Sequence, residues 1–115
     1  MDQGWIPLFD PDISLLEVDA VVDVLKSPRL AQGPAVAAFE SAFAAYTDRR
    51  HGVAVAGGTL GLLLALKAMG IGPGDEVIAS PASWHQIAHA IVLAGATPVF
   101  ADIDYWSGTL APEKV

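Results

Sequence analysis

Two adjacent glycines and a threonine, Gly57, Gly58 and Thr59, stand between a short apolar run, "VAVA", and a helix-forming stretch, "LGLLLALKAM". A helix N-terminus exposes about four N–H groups without an intrahelical acceptor and carries roughly half a positive charge. Glycine removes the side chains that would hold an anion away from those amides, and the Thr59 hydroxyl adds a donor. Together they can form a cup for a phosphate group. The same residues also suit a strand-to-helix turn that binds nothing, with Thr59 as its N-cap. A second stretch, "SPASWHQIAH", places Trp84 at the start of the next helix and on the same rim of an α/β sheet. An indole there either packs on the rim or lies flat on a planar ring whose phosphate rests in the cup. The latter contact is worth about 0.5–1.5 kcal/mol beyond burial.

Other phosphate motifs do not match. No Gly-Lys-Ser or Gly-Lys-Thr is present, so there is no P-loop. The dinucleotide fingerprint G-x-G-x-x-G aligns with Ala56, Gly58 and Gly61 and lacks its first glycine. The acids Asp75 and Glu76 stand at the start of the second strand instead of at its end, where a ribose would need one. A phosphate joined to a flat ring leaves pyridoxal phosphate or a flavin. His85, beside Trp84, faces such a cofactor or its substrate, or is simply a polar residue on the open rim. His89 lies one helical turn further on and reads as a helix surface residue. The i, i+4 pair His85/His89 has metal-site spacing, but no acid accompanies it in that helix, and no metal is expected. His51 reads as structural. Asp102 and Asp104 end the third expected strand and are assigned to capping the turn that follows. Lys67 stands about 12 Å along the helix axis from Thr59, away from the cup.

These residues need elements to position them. "SLLEVDAVVDVL" has Ser14 and Glu17 at capping-box spacing, with Leu15, Val18, Val22 and Leu25 on one face, and predicts a helix. "GPAVAAFESAFAAY" predicts another, with Gly33 at the N-cap and Pro34 at N1. From His51 onward, "HGVAV", "EVIAS" and "TPVFADID" read as strands, alternating with helices over Thr59–Met69 and "SWHQIAHAIVLAG". Short connectors between them imply parallel pairing and an α/β layer fold, its sheet covered on both faces. Three strands leave unpaired edges, and a helix apolar all round needs neighbours on every side. The chain is therefore read as the front portion of a larger protein.

The 115 residues carry a net charge of −7, with 53% hydrophobic and 17% charged residues. That balance excludes a disordered chain and argues against nucleic acid or an anionic membrane as partner. The absence of cysteine excludes thiolate metal sites, disulfides and a cysteine nucleophile. The start, "MDQGWIPLFDPD", has neither a basic nor an apolar leader region, and no stretch is long enough to span a membrane, so a cytoplasmic protein is expected.

"RLAQGPAVAAFESAFAAY", "HGVAVAGGTLGLLLALKAMGIGPGDEVI", the aromatic in "ASWHQIAHAI" and "GATPVFADID" follow one another at telling spacings. From about Pro7 to its end the chain resembles the start of the DegT/StrS-type sugar aminotransferases, pyridoxal-phosphate enzymes of the aspartate-aminotransferase fold. The resemblance implies a three-layer α/β fold with a mainly parallel sheet, this segment being the N-terminal part of the fold type I large domain. Residues 1–50 would form a helical region and 51–115 a βαβαβ segment bearing the phosphate turn. The family's Ser-Gly-Thr turn falls on Gly57, Gly58 and Thr59, and the backbone N–H of Leu60 would share the phosphate. Trp84 falls on the aromatic that covers the cofactor ring, and Gln32 and Gly33 on a loop near the substrate entrance. Gly57 stands where serine is usual, Leu60 where alanine is usual, and His85 and Gln86 where small residues are usual. The implied reaction transfers an amino group from an amino-acid donor to a nucleotide-linked keto sugar, in amino-sugar, polysaccharide or secondary-metabolite biosynthesis, by a homodimer. Its Schiff-base lysine is expected beyond Val115; Lys26, Lys67 and Lys114 do not match that position. The alternative is a non-catalytic α/β nucleotide- or phosphate-binding module, and a relative lacking the lysine is a third reading.

Overall fold

A computed structural model describes Gly4 and residues 6–115. Met1–Gln3 and Trp5, part of the stretch read for a leader, lie outside the described residues. The chain divides into two compact units, one ending at Ala54 and the other running Val55–Val115.

The first unit holds helices α1 (Leu15–Lys26) and α2 (Pro34–Tyr46). Both start where local chemistry dictates. The Ser14 hydroxyl accepts from the Leu16 N–H at 3.1 Å, and the Glu17 carboxylate returns to the Ser14 N–H at 2.7 Å and hydroxyl at 2.6 Å. This reciprocal capping holds the Glu17 carboxyl below the ordinary glutamate range, chiefly through the Ser14 hydroxyl. A lowered folded-state value means that the contribution is complete above the unfolded glutamate range and is lost as pH falls through the folded one. An acid titration followed by NMR should therefore show the Ser14 amide shift tracking Glu17 protonation below the free-glutamate range. In Ser14→Ala the Glu17 midpoint should move back toward that range, the backbone N–H bonds still holding it lower.

Helix α2 begins with Gly33 extended at the N-cap and Pro34 in the first turn, as the sequence predicts. Its Phe39 and Phe43 rings lie 5.8 Å apart, at the i, i+4 spacing that makes helix neighbours. The segment after it does not behave as expected. Residues 51–55 enter no ladder among the described residues, so the first expected strand is not formed. A strand needs a hydrogen-bonded neighbour, and here the Ala54 N–H instead donates to the Glu40 carboxylate at 2.8 Å. Gly52 passes so close to α2 that a Cβ there would sit 2.7 Å from the Glu40 carbonyl oxygen.

The second unit is a β–α–β element with one further helix. Strands β1 (Glu76–Ala79) and β2 (Thr97–Phe100) pair in parallel, Val77 opposite Pro98 and Ile78 opposite Val99. Helix α4 (Gln86–Ala94) connects them and packs on both strands, and α3 (Gly58–Ala68) packs on α4. The α/β class with a parallel sheet is as the sequence indicates. Both helices end on left-handed glycines, Gly70 at φ 81° and Gly95 at φ 89°. At each, the following residue's N–H reaches back to satisfy a carbonyl of the last turn: Ile71 to Leu66 at 3.0 Å and Ala96 to Ile91 at 3.2 Å.

The core of this unit is small: Leu66, Ala79, Ile91, Ala94 and Ala96, flanked by Leu62, Leu63, Ile71, Val77 and Ile87. Ile78 and Val99, opposite one another in the ladder, stay substantially exposed, as do Leu60 and Leu64 on α3. The described residues thus leave apolar surface open on both the sheet and α3. Beyond β2, Asp102 accepts from the Ile103 N–H and Asp104 from the Ser107 N–H, both at 2.8 Å. The Ser107 amide holds the Asp104 carboxyl below the ordinary aspartate range. Both acids serve the turn that returns to the isolated Ile103–Leu110 bridge, and a single 3-10 turn, Pro112–Lys114, follows.

Candidate functional site

The glycine pair sits where neither conformation nor packing requires it. Gly57 is the N-cap of α3 with φ 172° and ψ 166°, extended backbone open to any residue. A Cβ at Gly57 or Gly58 would meet nothing within 4 Å. Gly61, by contrast, faces Val55, whose Cγ2 would lie 3.3 Å from a Cβ, and is a packing glycine. The pair therefore does not serve as a tight turn. Thr59 is not the N-cap either, because the helix opens one residue earlier, at Gly58.

The first backbone bond of α3 runs from the Gly61 N–H to the Gly57 carbonyl at 3.0 Å. The amides of Gly58, Thr59 and Leu60 precede it, and the N-cap supplies no side-chain acceptor. Those three donors remain for something outside the helix. No acidic residue occupies the first turn to compete for them. At the other end of α3, Lys67 donates to the Ala94 carbonyl at 2.5 Å, placing its ammonium on the C-terminal carbonyls of α4. That engagement gives Lys67 a capping role remote from the cup.

Trp84 lies in the loop after β1, two residues before α4 begins. Gly58, Thr59, Leu62, Trp84, Gln86 and Ile87 line one cleft of about 260 Å³. The structure thus brings together the two ends of the arrangement inferred from sequence, the amide cup and the indole, over a sequence gap that no local signal spans. Gly57 and Leu60 flank Gly58 and Thr59 without lining the cleft. His85 is the N-cap of α4, its ring stacked on Trp84 with centroids 5.4 Å apart and 28° between planes. It lines a neighbouring cleft of about 240 Å³ with Ser80, Ser83 and Phe100, and Trp84 and Ile87 border both clefts. His89 meets His85 edge-on at 5.1 Å.

Three lining residues, Leu62, Gln86 and Ile87, are not among the site members that the sequence predicts. Gln86 and Ile87 enter the cleft because α4 starts one residue after His85, and Gln86 was marked only as a departure from small residues. Ser80, just after β1, has a buried hydroxyl with no partner among the described residues. Nothing local to "ASPAS" announces that.

The cleft takes Gly58 and Thr59 from the amide-bearing start of α3 and the exposed Trp84 from the loop before α4, over a mostly apolar lining. Residues of that kind fit a phosphate attached to a flat aromatic ring. Comparisons with known proteins show which family the chain is similar to. The chain is 47% identical over 111 residues to the spore coat polysaccharide biosynthesis protein SpsC of Bacillus subtilis (strain 168), covering 96% of this chain and 28% of that protein. It is 39% identical over 104 residues to the UDP-4-amino-4-deoxy-L-arabinose–oxoglutarate aminotransferase of Shewanella sediminis (strain HAW-EB3), covering 90% of this chain and 27% of that protein. Among solved structures, Spr1654 from Streptococcus pneumoniae in its PMP form superposes with a TM-score of 0.87 at 33% identity, over 95% of this chain and 28% of that one. The chain thus spans little more than a quarter of the length of these relatives. The family model for DegT/DnrJ/EryC1/StrS aminotransferases matches residues 11–115, and the chain belongs to that family.

Proposed function

We propose that this chain is the N-terminal part of the large domain of a pyridoxal-phosphate aminotransferase acting on a nucleotide-linked keto sugar. The observation that carries the reading is the shared cleft of Gly58, Thr59 and Trp84, with unclaimed amides at its mouth. In this reading the N–H groups of Gly58, Thr59 and Leu60 and the Thr59 hydroxyl hold the cofactor phosphate, and Trp84 covers the pyridine ring. Gly57 keeps the approach to those amides open, and His85 braces the indole from the neighbouring cleft or meets the substrate. When bound, the cofactor supplies the electron sink that lets an amino group pass from an amino-acid donor to a ketone. The residues of this chain bind and orient it. The family resemblance puts the lysine that holds the cofactor covalently beyond Val115, so the segment by itself is expected to be inactive.

The family names of the relatives support a sugar substrate, one being a UDP-sugar aminotransferase and another a polysaccharide biosynthesis protein. Two subunits per active unit and a cytoplasmic location complete the proposal. Among the described residues no helix is long and apolar enough to cross a membrane.

The test uses the protein expressed from its whole gene. Adding pyridoxal phosphate should give an absorbance band that borohydride makes permanent, and Trp84→Ala should weaken cofactor binding about ten-fold. Tight nucleotide binding with no such band would instead favour a phosphate-binding module. An unchanged affinity in Trp84→Ala would reduce the indole to rim packing.

A further inference from the structure

The cleft that receives the phosphate has a second wall, and its chemistry is unusual for an anion site. Of the six lining residues none is charged. A phosphate dianion held there is stabilised by dipoles alone, so every donor on the walls counts. One wall is the uncapped N-terminus of α3. The facing wall is the N-terminus of α4, where Gln86 is the first helical residue and the N-cap His85 makes no side-chain capping bond. The first turns of both helices therefore border one space.

Gln86 carries the remaining donor. Its side chain is exposed and lines the cleft, and among the described residues it makes no hydrogen bond to the protein. A glutamine at the first position of a helix has no capping duty to explain it. Its amide NH2 offers two donors of neutral charge to an anion already held from the opposite wall.

We propose that Gln86 is a cofactor-binding residue, its side-chain amide donating to the phosphate group that the amides of residues 58–60 hold from across the cleft. This rests on the reading of the cleft as the cofactor site, and it adds a donor from α4 to a cup otherwise built by α3 alone. It also explains why a long polar side chain can stand where the family's small residue is usual: it reaches the anion instead of crowding the ring.

The experiment measures binding of pyridoxal phosphate, of pyridoxal without its phosphate, and of inorganic phosphate to the full-length protein and to Gln86→Ala and Gln86→Glu. Removing one hydrogen bond to a charged group should weaken pyridoxal phosphate and inorganic phosphate about ten-fold in Gln86→Ala. Gln86→Glu, the same shape with a negative charge, should weaken both further, and pyridoxal should bind all three proteins alike. Thermal midpoints should be unchanged, because the side chain is exposed. Equal losses for pyridoxal and its phosphate, or wild-type affinity in both variants, would overturn the assignment. If the wild-type protein binds inorganic phosphate but not pyridoxal phosphate, the aminotransferase reading fails, and the two variants still decide the role of Gln86 with phosphate as the probe. If it binds neither, both fall.

Discussion

Gly58→Asp is expected to leave the fold as stable as before, or slightly more so, while weakening phosphate and cofactor binding on the order of a hundred-fold or more. The two effects have different origins. A Cβ at residue 58 meets nothing within 4 Å, and the residue is the first of α3. An acid in that turn interacts favourably with the helix dipole, by about 0.3–1 kcal/mol. The same carboxylate fills the cup with negative charge. Two like charges about 4 Å apart near a protein surface repel by roughly 4 kcal/mol, which exceeds the dipole gain several-fold. Thermal unfolding and cofactor titration on one preparation test both halves. A variant that unfolds earlier yet keeps its cofactor would make Gly58 a packing residue and remove the cup from the site. Gly58→Ala, which adds the Cβ without the charge, is the matching control.

Ile91→Ala should lower the unfolding free energy by about 2–5 kcal/mol. Ile91 is 1% exposed and is the one large side chain fully buried among the described residues. Its core neighbours include Ala79, Ala94 and Ala96, which have no side-chain reach with which to refill a cavity. A core this small has little to spare, and one such loss is a large fraction of a typical domain's stability. Leu93→Ala on the same helix is the contrast, since Leu93 is 61% exposed and its truncation should stay within about 0.5 kcal/mol. Urea midpoints for the two variants decide the matter. Equal destabilisation would mean that the helix face inferred from burial is wrong. Because α4 carries Gln86 at its start, and Trp84 stands just before it, Ile91→Ala should also loosen the cleft that both residues line.

Features set within a few residues of one another were legible in advance. Ser14 and Glu17 named their capping box, and Gly33 with Pro34 named the start of α2, because such bonds close over three or four residues. Gly70 and Gly95 named helix ends for the same reason, since a left-handed residue is a local requirement that glycine meets. Asp102 and Asp104 were expected to cap a turn, and each accepts a nearby N–H. The reading of 51–55 as a strand differed, because a strand exists only with a partner, and pattern within the segment cannot supply one. The reading of Thr59 as N-cap missed by two positions, because Gly57 in extended backbone could start the helix just as well.

By itself, then, the sequence determined which segments become helices, where they stop, and that bare amides would stand at the start of α3, all consequences of short-range sterics and hydrogen bonding. The strand–helix order also marked Trp84 for the same rim. Only the tertiary structure decided that Gln86 and Ile87 share the cleft with Gly58 and Thr59, that Lys67 is drawn to the Ala94 carbonyl, and that the Ser80 hydroxyl is buried. Those facts depend on how α3 packs on α4 and how α4 packs on β1 and β2. The packing of two helices joins residues some 27 positions apart and is set by a shared core that neither segment encodes alone.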